Sequence, residues 1–197
     1  MGVKMMLPGR VGEKMGFLHW ARFYSVLITR IPSIIASRPS VVDTRVSTFF
    51  HAVQERKKYE KIGALGFCFG GTMAIRLGAT DLFQSAVVCH PGPFSIDQLK
   101  ASKVPTSWVC AEDDMYFKPE KRLEAEAVFA ERKGKDTFVD YEFKEYKGTT
   151  HGFASRTDLR YPETKEAFEK ALDQAVEWFN NSTRAVVLLL FFAGYDV

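Results

Sequence analysis

Cysteine is scarce and odd in number: Cys68, Cys89 and Cys110 are the only three in 197 residues. No disulfide framework is implied, and a reducing compartment is the simpler setting. An excess of charge of one sign is missing as well. Twenty-seven Lys and Arg against 24 Asp and Glu leave a net charge of +3, too weak an imbalance to argue for nucleic acid. No stretch interleaves basic and aromatic side chains over any length. Membrane-spanning runs are absent too. Ala185–Ala193 (AVVLLLFFA) is apolar without a break, yet it has only about half the length that a bilayer crossing needs. Met15–Ile35 is interrupted by Arg22, Arg30 and Pro32, and no apolar run leads into a small-residue cleavage site, which argues against a secretory signal.

What is present suits one packed core. Hydrophobic residues make up 46% of the chain, with seventeen Phe and seven Tyr, which excludes collagen-like, low-complexity and broadly disordered classes. Residues 1–42 carry six cations (Lys4, Arg10, Lys14, Arg22, Arg30, Arg38) and one acid, Glu13. That bias resembles a transit peptide, with a mitochondrial address as its consequence, but a basic surface segment of a cytoplasmic protein is the simpler expectation. No membrane partner is expected, and nothing in the composition specifies an oligomeric state.

Along the chain, two periods alternate. Val42, Val46, Phe49, Phe50 and Val53 share one helical face, with Ser40 or Asp43 as candidate caps. Residues 62–67 (IGALGF), 84–89 (QSAVVC) and 106–111 (TSWVCA) are short apolar runs of the kind buried as parallel strands. A helix is predicted from about Gly70 to Leu77, and another over 119–133 with Leu123, Ala127 and Ala130 inward. Residues 139–143 (VDYEF) alternate as a strand near a sheet edge should. A last helix begins at Pro162, with Ala167, Phe168, Ala171, Leu172, Ala175, Val176 and Phe179 as its apolar stripe. This order predicts a mostly parallel α/β sheet covered by helices on both faces, with chemistry at the strand C-terminal ends. The expected division is a basic segment over 1–41, the α/β domain over 42–181, and an apolar tail over 182–197.

Gly66-Phe67-Cys68-Phe69-Gly70-Gly71 ends the first buried strand and opens a helix. This is a glycine-flanked nucleophile turn with cysteine in the place usually held by serine. The glycines admit a strained turn in which strand and helix approach closely. The free N–H groups of the helix N-terminus then favour a thiolate and an oxyanion. A base and an orienting acid should follow in the order acid, then base. Cys110-Ala111-Glu112-Asp113-Asp114 and Gly148-Thr149-Thr150-His151 each follow a strand, at the same rim as Cys68. Asp114 is preferred among the three acids from its offset after the strand. His19 and His51 precede the turn and are poor rivals for the base. His90 ends a strand but is expected to line the cleft or turn the chain.

GFCFGG, the AEDD after a strand and HGFASR together resemble the dienelactone hydrolase family, in particular its fungal-type members, from about Val42 to Phe179. The resemblance implies an α/β-hydrolase fold and hydrolysis of small lactones or esters through an acyl-enzyme, without metal or cofactor. It makes Cys68 the nucleophile, His151 the general base and then acid, and Asp114 the residue that orients His151. The Phe69 N–H becomes an oxyanion donor, and Arg156 a candidate grip on a substrate carboxylate.

The departures from the family pattern set further expectations. Only 61 residues precede Ile62, where the family has several strands, so the fold is expected to be N-terminally incomplete. Neither the second oxyanion donor nor the early acid that controls the thiol is matched. The sheet edge beside the elbow should stand open, and the apolar tail is an aggregation hazard if exposed. A reading frame that starts late and runs on at its end would produce both features. The competing expectation is an impaired fragment that serves as a binding or assembly module. A thiol redox sensor would need a resolving cysteine near Cys68.

Overall fold

The apolar runs become strands β1 (Ile62–Phe67), β2 (Ser85–Cys89), β3 (Thr106–Asp113) and β4 (Tyr141–Thr150), joined by a fifth, β5 (Val186–Leu190). All pair in parallel, in the order β4-β3-β2-β1-β5. The computed structural model describes residues 10–182 and 186–190. β4 sits at an edge, as its alternation suggests, but starts two residues later and runs well beyond Phe143.

Alternation along the strands divides the core between two faces. Ile62, Ala64, Ala86, Val88, Trp108 and Cys110 point to one side. There they meet helices α3 (Pro39–Lys57), α4 (Phe69–Leu77), α5 (Ile96–Lys100) and α6 (Pro119–Ala130). Leu65, Phe67, Val87, Cys89 and Val109 point to the other, against α7 (Phe153–Arg156) and α8 (Pro162–Ser182). Strands covered twice must be apolar at every position, which is why β1 and β2 are buried throughout. Gly63 marks how closely α8 lies, since a Cβ there would stand 2.5 Å from the Phe179 ring. Each large side chain buried in these layers, such as Phe50, Trp108 or Phe129, stabilises the fold by about 1.5–3 kcal/mol.

Several local expectations are corrected. α3 buries Val42, Val46 and Phe50, but Arg38 occupies the cap with Pro39 in the first turn, so neither Ser40 nor Asp43 caps it. Asp43 instead accepts two hydrogen bonds from Arg76 of α4, at 2.7 and 2.9 Å, and ties the two helices together. α6 buries Ala125 and Phe129, leaving Leu123, Ala127 and Ala130 exposed. Phe129 decides that rotation by stacking on Tyr141 and packing beside Trp108. On α8 the buried face is Thr164, Ala167, Ala171, Gln174, Ala175 and Phe179. Leu172 and Val176 point outward, because Gln174 turns in to bond Ser107, Glu142 and Tyr146.

The two ends hold further elements. The basic leading segment contains two helices, α1 (Phe17–Thr29) and α2 (Ile31–Ala36), with Phe17, Leu18, Tyr24, Ile28, Ile31 and Ile35 exposed. Among the described residues no helix is long and apolar enough to cross a membrane. Within the apolar tail, Val186–Leu190 is strand β5, paired with β1 from Ile62↔Val186 to Gly66↔Leu190. The β1 edge beside the elbow is therefore occupied. Residues 183–185 and 191–197 of that tail lie outside the described residues.

Candidate active site

Cys68 is the first residue beyond β1 and caps α4 with φ 50 and ψ −114, a conformation that costs a non-glycine residue on the order of 1–3 kcal/mol. Backbone bonds hold it there. Its N–H donates to Cys89 O at 3.1 Å, and its carbonyl accepts from Thr72 at 3.1 Å and Gly92 at 3.0 Å. The flanking glycines are needed for space. A Cβ on Gly66 would lie 2.3 Å from the Gly70 carbonyl oxygen, and one on Gly71 only 3.2 Å from Cys89 O and Pro91 Cα. The thiol thus stands half-buried at the N-terminus of α4.

His151 and Asp114 reach the same point through an irregularity in the sheet. β3 and β4 pair Ala111 with Tyr146 but Asp113 with Thr150, so β4 spends four residues where β3 spends two. Gly148, at φ 75, makes the extra bend. Glu112 braces it by accepting the Gly148 N–H at 2.7 Å, and the Thr149 hydroxyl donates to Tyr146 O at 2.6 Å. His151 then stands beside Asp114, with Nδ1 2.9 and 3.0 Å from the two carboxylate oxygens. Its Nε2 lies 3.1 Å from Cys68 Sγ. Asp114 Oδ1 also accepts the N–H groups of Tyr116 at 2.8 Å and Phe117 at 3.1 Å, which fixes the carboxylate before the histidine meets it.

The electrostatics follow from this geometry. Burial raises the Cys68 thiol. The His151 hydrogen bond and charge, the Arg156 charge and the Phe69 N–H more than offset it, and the net shift is downward. Burial lowers His151, but hydrogen bonds and charges from Asp114 and Cys68 reverse that and raise it to about 9. Burial likewise raises Asp114, and the His151 pairing with the Tyr116 N–H brings it below the ordinary carboxylate value. The three shifts favour one charge state, with thiolate, imidazolium and carboxylate in a row.

The other sequence candidates separate clearly. Asp113 is exposed, while Glu112 serves the β4 bend. His51 is exposed on α3, and His19 lies on α1. Arg156, the last residue of α7, is exposed at the rim and close enough for its charge to act on Cys68. Cys89, the last residue of β2, and Cys110, inside β3, are both buried, and burial pushes Cys89 far up and Cys110 up to about 12. Two neighbours of His151 stand closer than the sequence suggests. Tyr116 packs edge-on at 5.1 Å, and His90 lies beneath it at 5.2 Å between ring centroids. The Cys89-His90-Pro91-Gly92 turn at a strand end was the available signal for the second. Among the described residues no group of three or more metal-ligating side chains gathers.

Comparison with known proteins agrees with this architecture. The chain is 32% identical over 142 residues to the hydrolase tropI of Talaromyces stipitatus, covering 72% of this chain and 54% of that protein. It is 26% identical over 141 residues to the human carboxymethylenebutenolidase homolog, covering 71% and 56% respectively. The chain thus spans about half the length of these curated relatives. Among solved structures, a dienelactone hydrolase-like promiscuous phosphotriesterase from metagenomic libraries superposes with a TM-score of 0.61 at 18% identity, over 80% of this chain and 68% of that one. A dienelactone hydrolase from Klebsiella pneumoniae superposes at 0.50 and 13% identity, over 60% and 51%. These likenesses establish the α/β-hydrolase fold. With residues 32–183 matching the Dienelactone hydrolase family description, the chain belongs to the dienelactone hydrolase family.

Proposed function

We propose that this chain hydrolyses small carboxylic esters or lactones, with Cys68 as nucleophile, His151 as general base and acid, and Asp114 as its orienting partner. One observation carries the reading. A thiol on a strained strand-to-helix turn lies 3.1 Å from an imidazole whose other nitrogen lies 2.9 Å from a buried carboxylate. That array holds the thiol as the attacking thiolate and keeps a proton ready for the leaving group.

The thiolate adds to the ester carbonyl, and the oxyanion forms against the Phe69 N–H at the start of α4. The tetrahedral carbon collapses to a thioester as the C–O bond breaks. The His151 Nε2 proton passes to the leaving alkoxide, which in a lactone stays attached as the new hydroxyl. Neutral His151 then takes a proton from water as that water attacks the thioester. The acid leaves, and the thiolate–imidazolium pair is restored. Asp114 holds His151 in the tautomer that both steps need. Arg156 at the rim suits a substrate that carries a free carboxylate beside its scissile ester or lactone, and the likeness to a human carboxymethylenebutenolidase homolog supports that class. The reading requires no cofactor.

The test is turnover of an activated ester by the parent chain and by Cys68→Ala. We expect a burst of alcohol product with a mass shift for one acyl group on the parent. A rate loss of about 10³-fold or more is expected in the variant, with its circular dichroism unchanged. Retained turnover in folded Cys68→Ala would remove the thiol from the mechanism.

A further inference from the structure

His90 is buried in the centre of the site, and the mechanism above leaves it unused. It follows β2 at φ 34, a left-handed backbone that an L-residue holds only at some cost. The strain is not slack, since the His90 N–H donates to Val109 O at 2.9 Å. Residues on either side of it are bonded to the nucleophile's own backbone: Cys89 O accepts from Cys68 N, and Gly92 N donates to Cys68 O. By strand alternation the side chain after Cys89 would face α3 and α4. The positive φ turns it to the α8 side instead, where the ring has 0% exposure. There it packs among Phe67 at 6.0 Å, Phe153 at 5.9 Å and His151 at 5.2 Å, meeting the last at 69°. Among the described residues neither ring nitrogen has a hydrogen-bond partner.

We propose that His90 is a positioning residue, a buried ring that seats His151 so that Nε2 faces Cys68 while Nδ1 faces Asp114. The proposal rests on the reading of His151 as base. Edge-to-face packing against a neutral ring fixes the plane of His151 and tolerates its charge, whereas a second imidazolium 5.2 Å away would repel it. The charged groups that act on His90 are His151, Asp114 and Arg156, and its flanking rings Phe67 and Phe153 carry none. Burial, with the His151 charge, lowers His90 to about 3, so of this pair only His151 carries a proton at neutral pH.

The experiment compares parent, His90→Leu and His90→Phe by the rate at which iodoacetamide alkylates Cys68 across pH 5–10. Imidazole ¹⁵N spectra of the parent over the same range accompany it. Loss of the ring in His90→Leu should slow alkylation about tenfold or more. It should also move the alkaline limb, set by loss of the His151 proton, down by about half a pH unit or more. The ring in His90→Phe should recover most of both effects, and the parent His90 signal should stay neutral throughout. Parent-like behaviour of folded His90→Leu overturns the proposal, as does a defect in His90→Phe equal to that of His90→Leu. A His90 signal that titrates near pH 6.5 overturns it too, even if neither variant folds. Slow alkylation of parent Cys68 would instead count against the thiolate mechanism, and the ¹⁵N spectra would then decide the role of His90 alone.

Discussion

Cys89 and Cys110 lie within strands β2 and β3, and Cys68 lies one residue beyond β1. The first two have ordinary extended backbones, apolar neighbours on both sides and thiols pushed up by burial. The third has a strained backbone, a helix N-terminus and an imidazole, and its half-buried thiol is pulled down. One residue type is thus shifted in opposite directions within a single sheet. The comparison teaches that the sheet interior supplies rigidity, and that the titratable groups of the candidate site gather where each strand stops being a strand. Cys68, His90, Asp114 and His151 all stand just past a strand end, and two of them carry positive φ.

The sharpest way to break the contrast is to remove the charge pattern and leave the turn intact. Asp114→Asn keeps the shape and the Tyr116 and Phe117 contacts but withdraws the negative charge that raises His151. On the proposed mechanism we expect kcat for an activated ester to fall by about 10³-fold or more, with a smaller change in KM. The alkaline limb of Cys68 alkylation should move to lower pH, because His151 loses the main support for its proton. Stopped-flow alkylation at stepped pH reads both.

The second test breaks the turn and spares the charges. Gly66→Ala brings a methyl to 2.3 Å from the Gly70 carbonyl, whereas Gly78→Ala meets nothing nearer than 3.1 Å, at an ordinary helix end. The first should cost about 3 kcal/mol or more in urea unfolding and the second about 1 or less. Equal costs would show that the elbow is not under the constraint its geometry implies.

Sequence patterns exposed the strand ends far better than the helix faces. The glycine spacing around Cys68 and the acid-then-base order were readable because each glycine or polar residue interrupts an apolar run for a local steric reason. Asp114 could be preferred over its two neighbours from offset alone. The bend in β4 that carries His151 across to Asp114 left little trace beyond Gly148. Periodicity misplaces the inward faces of α6 and α8, because Leu123, Leu172 and Val176 are apolar yet exposed, while Gln174 is polar yet buried in a network with Ser107 and Tyr146. Periodicity counts hydrophobicity, and it misses a polar residue whose partners come from a strand 66 residues away. β5 was hidden for a different reason. A five-residue apolar strand shows no period of its own, and its place beside β1 is a long-range pairing.

A third prediction uses pH to set two strand-end histidines against each other. His90 binds its proton less readily in the folded chain than at its ordinary value of 6.5. Its contribution to stability is therefore complete above pH 6.5 and is lost as pH falls from there toward about 3. His151 is raised to about 9, so its contribution is complete below pH 6.5 and is lost as pH rises through 9. Stability should peak near neutrality. Between pH 6.5 and 4 it should fall by up to about 1.4 kcal/mol per pH unit from His90 alone. Urea midpoints across that range should show this slope in the parent and a shallower one in His90→Phe.

The smallest effect is the most direct check of the opening contrast. If reactivity belongs to the strand end and not to cysteine as such, Cys89→Ala and Cys110→Ala should alter packing alone. Each removes one buried sulfur from a tightly filled layer and should cost about 1–2 kcal/mol in unfolding. The Cys68 alkylation rate should stay within about twofold of the parent, less than half a kcal/mol in barrier. Intact-mass spectra of the folded parent at brief exposure should show one adduct, carried by Cys68, with the second and third appearing only as urea opens the sheet. Early labelling of Cys89 or Cys110 would mean that the layers at β2 and β3 open more readily than their burial implies. The difference between the three thiols would then be one of access, and the pull of His151 on Cys68 would no longer be needed to explain it.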